Sequence, residues 1–110
     1  MASAEDFRRI ALSFPGAEES AHMGHPDFRV GGRIFAALHA PGKGTGAVML
    51  LPEQQELAMA AEPAAFEPAA GAWGRGGSTV VTLDAVSDEW LDRTLEWAWR
   101  KRAPAKLLNI

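Results

Sequence analysis

The segment HPDFRVGGRIFAALHA, residues 25–40, restricts the fold more than any other part of the chain. It predicts a β-hairpin, because two alternating stretches flank the glycine pair Gly31-Gly32. A two-residue turn at this pair places Phe28 opposite Phe35. Residues 34–38 are apolar on both faces of the second strand, which is typical of a strand inside a sheet.

Capping residues, prolines and glycines divide the rest of the chain into further elements. We predict a helix over residues 3–14, an edge strand near 17–24, a strand at 47–51, a helix over about 52–61, a strand at 78–83 and a helix from Ser87 to about Arg102. Residues 63–77 are rich in Pro, Gly and Ala, and we expect them to wrap the surface with Phe66 and Trp73 turned inward.

This order of elements lacks the regular βαβ alternation of a parallel sheet. The sequence therefore predicts the α+β class, with a mostly antiparallel sheet and helices on one side. The 110 residues are expected to form one domain, 1–110, and to act as a monomer.

Composition narrows the classes of function. Cysteine is absent, which excludes disulfides, thiolate catalysis and thiolate-bound metals. The net charge of -3 argues against a nucleic-acid partner for the molecule as a whole. The first residues carry charges and no apolar core of signal-peptide length, so we expect a cytoplasmic location.

No pattern of residues indicates a metal, a cofactor or an enzyme. His22 and His25 have H-x-x-H spacing, but Pro26 interrupts the strand and the hairpin register puts His25 and His39 on opposite faces. The glycine-rich stretches GKGTG and GRGGST lack the phosphate-loop pattern, and no Ser, His and Asp set has the context of a triad. We therefore expect no metal, no cofactor and no catalysis.

Four segments occur in an order and spacing that resembles the MmcQ/YjbR family of small bacterial proteins: SFPGAEE, HMGHPDFRVGGRIFA, WGRGGSTVVTLD and AWRKRAPAKL. The resemblance covers nearly the whole chain. It implies a curved antiparallel sheet with the terminal helices packed on it, and DNA binding through projecting hairpins. Relatives often have Trp at the position of Ser78, so the surface near GRGGST differs in this chain.

The resemblance and the uneven distribution of charge lead to one hypothesis: weak, salt-dependent binding of double-stranded DNA without catalysis. The candidate contacts are the basic side chains at the first hairpin, at two later loops and at the C-terminal end, namely Arg29, Arg33, Lys43, Arg75, Arg100, Lys101, Arg102 and Lys106. Two simpler explanations stay open. Arginines at a hairpin discourage association between sheets, and positively charged side chains in the last turn of a helix complement the helix dipole.

The alternative hypothesis is a module that binds a small molecule, a peptide or a protein. Met23, Met49, Met59 and Trp73 could line an apolar cleft beside the sheet. Binding of that kind is expected to be largely indifferent to salt.

Overall fold

Residues 2–108, which the computed structural model describes, form five helices and one six-stranded sheet. The elements are α1 (Ala4–Ser13), β1 (Glu18–His22), β2 (His25–Val30), β3 (Arg33–Leu38), β4 (Thr45–Met49), α2 (Pro52–Ala61), β5 (Phe66–Pro68), α3 (Gly71–Arg75), β6 (Ser78–Thr82), α4 (Asp88–Arg102) and α5 (Ala105–Leu108). Every helix and strand predicted from the sequence is present, with its ends within two residues of the prediction.

The sheet is antiparallel throughout, and its strands lie in the order β1-β2-β3-β4-β6-β5. β3 and β4 are in the middle, as the apolar residues 34–38 predicted, and β1 is at one edge. α1 and α4 pack against one face of the sheet, around the hydrophobic core. The predicted α+β class, with a curved antiparallel sheet and the terminal helices packed on it, is confirmed.

A capping box fixes the beginning of α1. Ser3 Oγ accepts a hydrogen bond from the backbone N–H of Asp6, and the Asp6 carboxylate accepts one from the backbone N–H of Ser3. Phe7, Ile10 and Ala11 are buried on the face that follows. The predicted amphipathic helix is thus confirmed, and its apolar face covers the sheet.

Aromatic rings join the two long terminal helices to the hairpin. The ring centroids of Phe7 and Phe28 are 5.9 Å apart, and those of Phe14 and Trp99 are 5.6 Å apart in a stacked arrangement. The indole N–H of Trp99 donates to the Pro15 carbonyl oxygen at 2.9 Å. A buried indole N–H is therefore satisfied, and the end of α1 is held against α4.

The β2–β3 hairpin contains a β-bulge. Arg29 pairs with Ile34 as predicted, but Phe28 pairs with Ala36, so that Phe35 is an extra residue in β3. The predicted pairing of Phe28 with Phe35 is wrong. The bulge lets both Phe35 and Ala36 be buried, whereas strict alternation would turn one of them away from the helices.

The physical reason for the bulge is the burial of Phe35, Ala36 and Leu38 together beneath the helices. In a hairpin without the bulge, Phe35 would still face the helices, but Ala36 and Leu38 would face the other side of the sheet. Phe35 meets Phe14 edge to face, with the ring centroids 6.5 Å apart, and Phe28 meets Phe7. The bulge moves the Leu38 side chain to the helix-covered face, and burying a large apolar side chain stabilises the fold by about 1.5–3 kcal/mol. That gain exceeds the cost of one interrupted ladder hydrogen bond, typically about 1 kcal/mol.

We call the face of the sheet opposite α1 and α4 the open face. Its middle is apolar, because residues on both sides of the bulge point to it. Cavities on this face are lined by Ile34 and Ala37 from β3, Ala47 and Met49 from β4, and Val80 from β6.

The expectation for residues 63–77 is partly wrong. Phe66 is buried, as expected, but it starts the short strand β5, and Trp73 is 77% exposed on α3. Gly74 explains this exposure, because a Cβ at Gly74 would lie 1.8 Å from the carbonyl oxygen of Ala69. The backbone of α3 thus takes the buried position that was expected for the Trp73 ring.

Gln55 of α2 holds α3 and the start of β6 in place through its side chain. Its side-chain amide donates to the carbonyl oxygens of Gly74 at 3.0 Å and Ser78 at 3.1 Å. These bonds satisfy two backbone acceptors in a buried place, so they hold α3 at a defined position beside the start of β6.

A substitution at Gly46 tests the close packing of α1 on the sheet. A Cβ at Gly46 would lie 2.6 Å from the Phe7 ring, so we expect Gly46→Ala to lower the free energy of unfolding. Overpacking of this kind costs about 1–3 kcal/mol. Urea unfolding of the variant measures the change.

Gly42→Ala is the matched control, since nothing lies within 4 Å of a Cβ there. We expect it to change the free energy of unfolding by less than about 0.5 kcal/mol. Equal effects at the two positions would contradict the proposed contact with Phe7.

Candidate functional site

One end of the open face carries two adjoining cavities, with volumes of about 550 and 210 Å³. Met49, Trp73, Ser78 and Arg102 line both of them. The larger is also lined by His22, Arg29, Gly32, Arg33 and Ile34, and the smaller by Ala72, Gly76 and Lys101. We call the two together the end cavity.

The floor of the end cavity is apolar. Ile34 and Met49 come from the two central strands, and Trp73 presents an indole that is 77% exposed. Ser78 is the small residue between them, and its hydroxyl donates to the Met49 sulfur at 3.5 Å. An exposed tryptophan beside apolar side chains is typical of a surface that meets a ligand.

The rim of the end cavity is cationic. Arg29 and Arg33 come from the hairpin strands, whereas Lys101 and Arg102 come from the end of α4. Among the described residues that line the end cavity there is no Asp or Glu. The end cavity is therefore a locally positive hollow on a protein whose net charge is -3.

Arg29 is held by a buried carboxylate. Its Nε and terminal amino groups donate to the two oxygens of Asp27 at 2.9 and 3.1 Å, and the Asp27 side chain is 2% exposed. Asp27 hydrogen bonding raises the pKa of Arg29 against the smaller opposing effect of burial. The pair is close to neutral as a unit, so Arg29 contributes less positive potential than the other three cations.

Lys101 and Arg102 are neighbouring positive charges, and neither forms an ion pair within residues 2–108. The Lys101 ammonium donates to the Leu50 carbonyl oxygen at 3.0 Å. Burial, and then the charge of Arg102, lower the pKa of Lys101 below its ordinary value of 10.5. Arg102 Nε is buried and has no hydrogen-bond partner within residues 2–108. An anion in the end cavity would relieve both costs.

The hairpin turn is supported by the C-terminal segment. Gly31 and Gly32 both have positive φ, 59° and 79°, as a two-residue hairpin turn requires. A Cβ at Gly31 would lie 2.9 Å from the Pro104 ring, so the turn rests on the residues that follow α4. This contact places Arg33 in the same cavity wall as Arg102, instead of on a freely projecting hairpin.

The other four predicted cations do not line the end cavity. Lys43 is exposed in the β3–β4 loop, at the end of β3 away from the turn. Arg100 donates to Glu96 at 2.8 Å and lines a different cavity with Phe14 and Trp99. Arg75 and Lys106 are exposed on α3 and α5.

The histidines considered for a metal site lie beside the end cavity. His22, His25 and Asp27 line a further cavity of about 210 Å³ on the open face. Across residues 2–108 no group of three or more His, Asp or Glu side chains is arranged to hold a metal ion. Asp27 is instead engaged by Arg29.

Two features of the site were not predicted. The exposure of Trp73 has a signal in the sequence, since Gly74 follows it directly and Gly77 lies nearby, and a Cβ at either glycine would meet backbone atoms. The bond between Asp27 and Arg29 also has one, because residues two apart share a face of a strand. Of the four residues that the alternative hypothesis placed in one cleft, Met49 and Trp73 do line the end cavity. Met23 is 85% exposed elsewhere, and Met59 packs against the hydrophobic core.

The fold and the site together define a small α+β protein with helices on one face of its sheet and a cationic hollow on the other. The YjbR family model matches residues 12–101, so the chain belongs to the YjbR family. The membership predicted from the four sequence segments is confirmed. No curated protein matches the chain. No helix within residues 2–108 has the length and apolarity needed to cross a membrane.

A solved structure shares this fold. It is the crystal structure of the Deinococcus radiodurans protein DR2400, which carries the domain DUF419. The TM-score is 0.75 at 22% sequence identity, over 90% of this chain and 77% of that chain. The likeness shows that the two proteins have the same fold.

Substitution of the turn glycines tests the support of the hairpin by Pro104. We expect Gly31→Ala to destabilise the protein more than Gly32→Ala, because only the first Cβ meets another residue. The positive φ costs about 1–2 kcal/mol in both variants, and the clash adds about 1–3 kcal/mol to the first. Urea unfolding measures the difference, and a larger loss for Gly32→Ala would contradict the contact.

Titration of Lys101 tests the electrostatics of the rim. We expect the pKa of Lys101 to lie below 10.5. It should rise in Arg102→Gln, because the charge of Arg102 is one of the two causes that lower it. Since the folded pKa is below the unfolded one, the stability contribution of Lys101 is fully present above pH 10.5 and is lost as the pH falls through the folded pKa. NMR of the lysine side chains across the alkaline range measures the pKa. A value at or above 10.5, or no rise in Arg102→Gln, would contradict this account.

Proposed function

We propose that the protein binds DNA through the end cavity and does not catalyse a reaction. The observation that carries the proposal is the convergence of Arg33, Lys101 and Arg102 on one surface whose described lining contains no carboxylate. These residues come from separate parts of the chain, so their proximity is a property of the fold.

The chemistry of these side chains suits phosphate. Guanidinium groups present parallel donors that match two phosphate oxygens, and they stay charged at neutral pH. Within residues 2–108, Arg33, Lys101 and Arg102 take part in no ion pair. An incoming phosphate therefore does not have to break an existing pair.

The same geometry supports weak binding. About three cations are available, since Arg29 is bound to Asp27, and Glu18 lies opposite Arg29 in the register of β1 and β2. A few phosphate contacts give the affinity of non-specific binding, with dissociation constants of about 10⁻⁴–10⁻⁶ M at physiological salt. A monomer as the binding unit and a cytoplasmic location are part of the same proposal.

Salt dependence is the direct test. We expect fluorescence anisotropy with a labelled duplex to show binding at low salt that weakens as salt is added. Neutralising about three phosphates gives a slope near −2.7 in a plot of log K against log salt concentration. In Arg33→Gln/Arg102→Gln the slope should become shallower by about 1.8, because two phosphate contacts are lost.

The matched control is Arg93→Gln/Arg100→Gln, which changes the net charge by the same amount. Both arginines are paired with glutamates of α4, at 3.3 and 2.8 Å, and neither lines the end cavity. We expect the slope of this control to equal that of the unchanged protein. Equal losses in the two double variants, or no binding to any nucleic acid at low salt, would overturn the proposal.

A second candidate is the binding of a small anionic molecule in the same place. The volume of about 550 Å³ and the apolar floor favour it, because ligand pockets commonly have volumes of about 300–1,000 Å³. A metabolite that raises the melting temperature at high salt, combined with no DNA binding at low salt, would favour this candidate over the first.

A further inference from the structure

The end cavity contains more than a phosphate site needs. Phosphates require cations and hydrogen-bond donors, whereas Ile34, Met49 and Trp73 form an apolar floor between the cations. A ligand that only laid its phosphates on the rim would leave this floor, and an indole that is 77% exposed, in contact with water. The floor therefore indicates a second, apolar part of the ligand.

A duplex does not supply such a part at this place. Its bases are stacked and paired, and it presents phosphates and sugars along its outside. The end cavity is a hollow within one sheet face and is bordered by the hairpin turn and α3, so the outside of a duplex can touch its rim but cannot fill it. A base that is free of its stack is flat, has apolar faces and lies close to its own phosphates along the backbone.

We propose that the end cavity holds one unstacked base of a single-stranded nucleic acid against the Trp73 indole. The flanking phosphates then meet Arg33 on one side and Arg102 on the other, both of which line the larger cavity. Met49 completes the contact, because a thioether is polarizable and adapts to an aromatic face. This inference rests on the proposed function and names the form of nucleic acid that the site prefers.

The arrangement of the residues favours a base and phosphates over an apolar ligand alone. Trp73 and Arg102 line both cavities, so an aromatic surface and a positive charge border the same space. The buried Nε of Arg102, without a partner in residues 2–108, is a donor that a bound anion can satisfy. Ser78 is small and lies beside Met49, which leaves the space open.

The test compares three probes at one low salt concentration by fluorescence anisotropy. They are a labelled oligo(dT) of about 12 nucleotides, within the range that single-strand binding sites cover, the same strand with abasic sites throughout, and a duplex of equal length. We expect the oligo(dT) to bind about 5- to 150-fold more tightly than the abasic strand, the range that one base stacked on an aromatic side chain provides. The duplex should bind more weakly than oligo(dT).

Trp73→Ala and Trp73→Phe provide the second arm. Trp73 is exposed, so both variants are expected to fold, and circular dichroism with thermal melting checks this. Trp73→Ala should lose about 5- to 150-fold in affinity for oligo(dT) and little for the abasic strand, while Trp73→Phe should recover much of the loss. Leu57→Ala, at an exposed leucine of α2 outside the end cavity, should bind both strands like the unchanged protein.

The outcomes separate this inference from the proposed function. Three results with salt-dependent binding would leave DNA binding in place and overturn the base site. They are an affinity for the abasic strand equal to that for oligo(dT), an affinity for the duplex equal to or higher than that for oligo(dT), and an equal loss of affinity for both strands in Trp73→Ala. The absence of salt-dependent binding to every probe removes the proposed function and this inference together. Equal competition by thymidine monophosphate and by unlabelled oligo(dT) overturns the preference for a strand.

Discussion

The extra residue in β3 is the constraint on which the two faces of the sheet depend. Because Phe35 and Ala36 are both buried, β3 can also bury Leu38 under the helices and place Ala37 on the other face, the face that Ile34 already lines. Removing the bulge would shift every side chain on one side of it to the wrong face. One local irregularity thus decides which residues of β3 join the hydrophobic core and which join the open face.

The net charge of the protein does not show how its charged side chains are distributed over the surface. On the helices, arginines lie next to carboxylates: Arg8 is paired with Glu5 and Glu19, and Arg93 and Arg100 are paired along α4. Such exposed pairs contribute little to stability, typically below about 1 kcal/mol each. These pairs occupy arginines of α1 and α4, whereas Arg33, Lys101 and Arg102 form no ion pair within residues 2–108 and remain a positive group on a protein with a net charge of -3.

The sequence predicted what depends on neighbours along the chain. The capping residues Ser3 and Ser87 fix the beginnings of α1 and α4, and the glycine pair fixes the hairpin turn. It could not predict what depends on contacts between distant residues. The bulge follows from the burial of Ala36 and Leu38 together with Phe35, and the exposure of Trp73 follows from the approach of Gly74 to Ala69. Half of the eight predicted cations line the end cavity, because the contact between Gly31 and Pro104 holds the hairpin against the end of α4.

The division of the sheet into a helix-covered face and an open face has an evolutionary consequence. Substitutions beneath the helices are constrained by dense packing around residues such as Phe7 and Leu95, whereas Ile34, Met49 and Ser78 are only partly buried. A partly buried side chain on the open face can be exchanged with a smaller loss of stability. Members of a lineage with this architecture can therefore acquire new ligand preferences by drift on one surface, while selection for a folded chain acts mainly on the other.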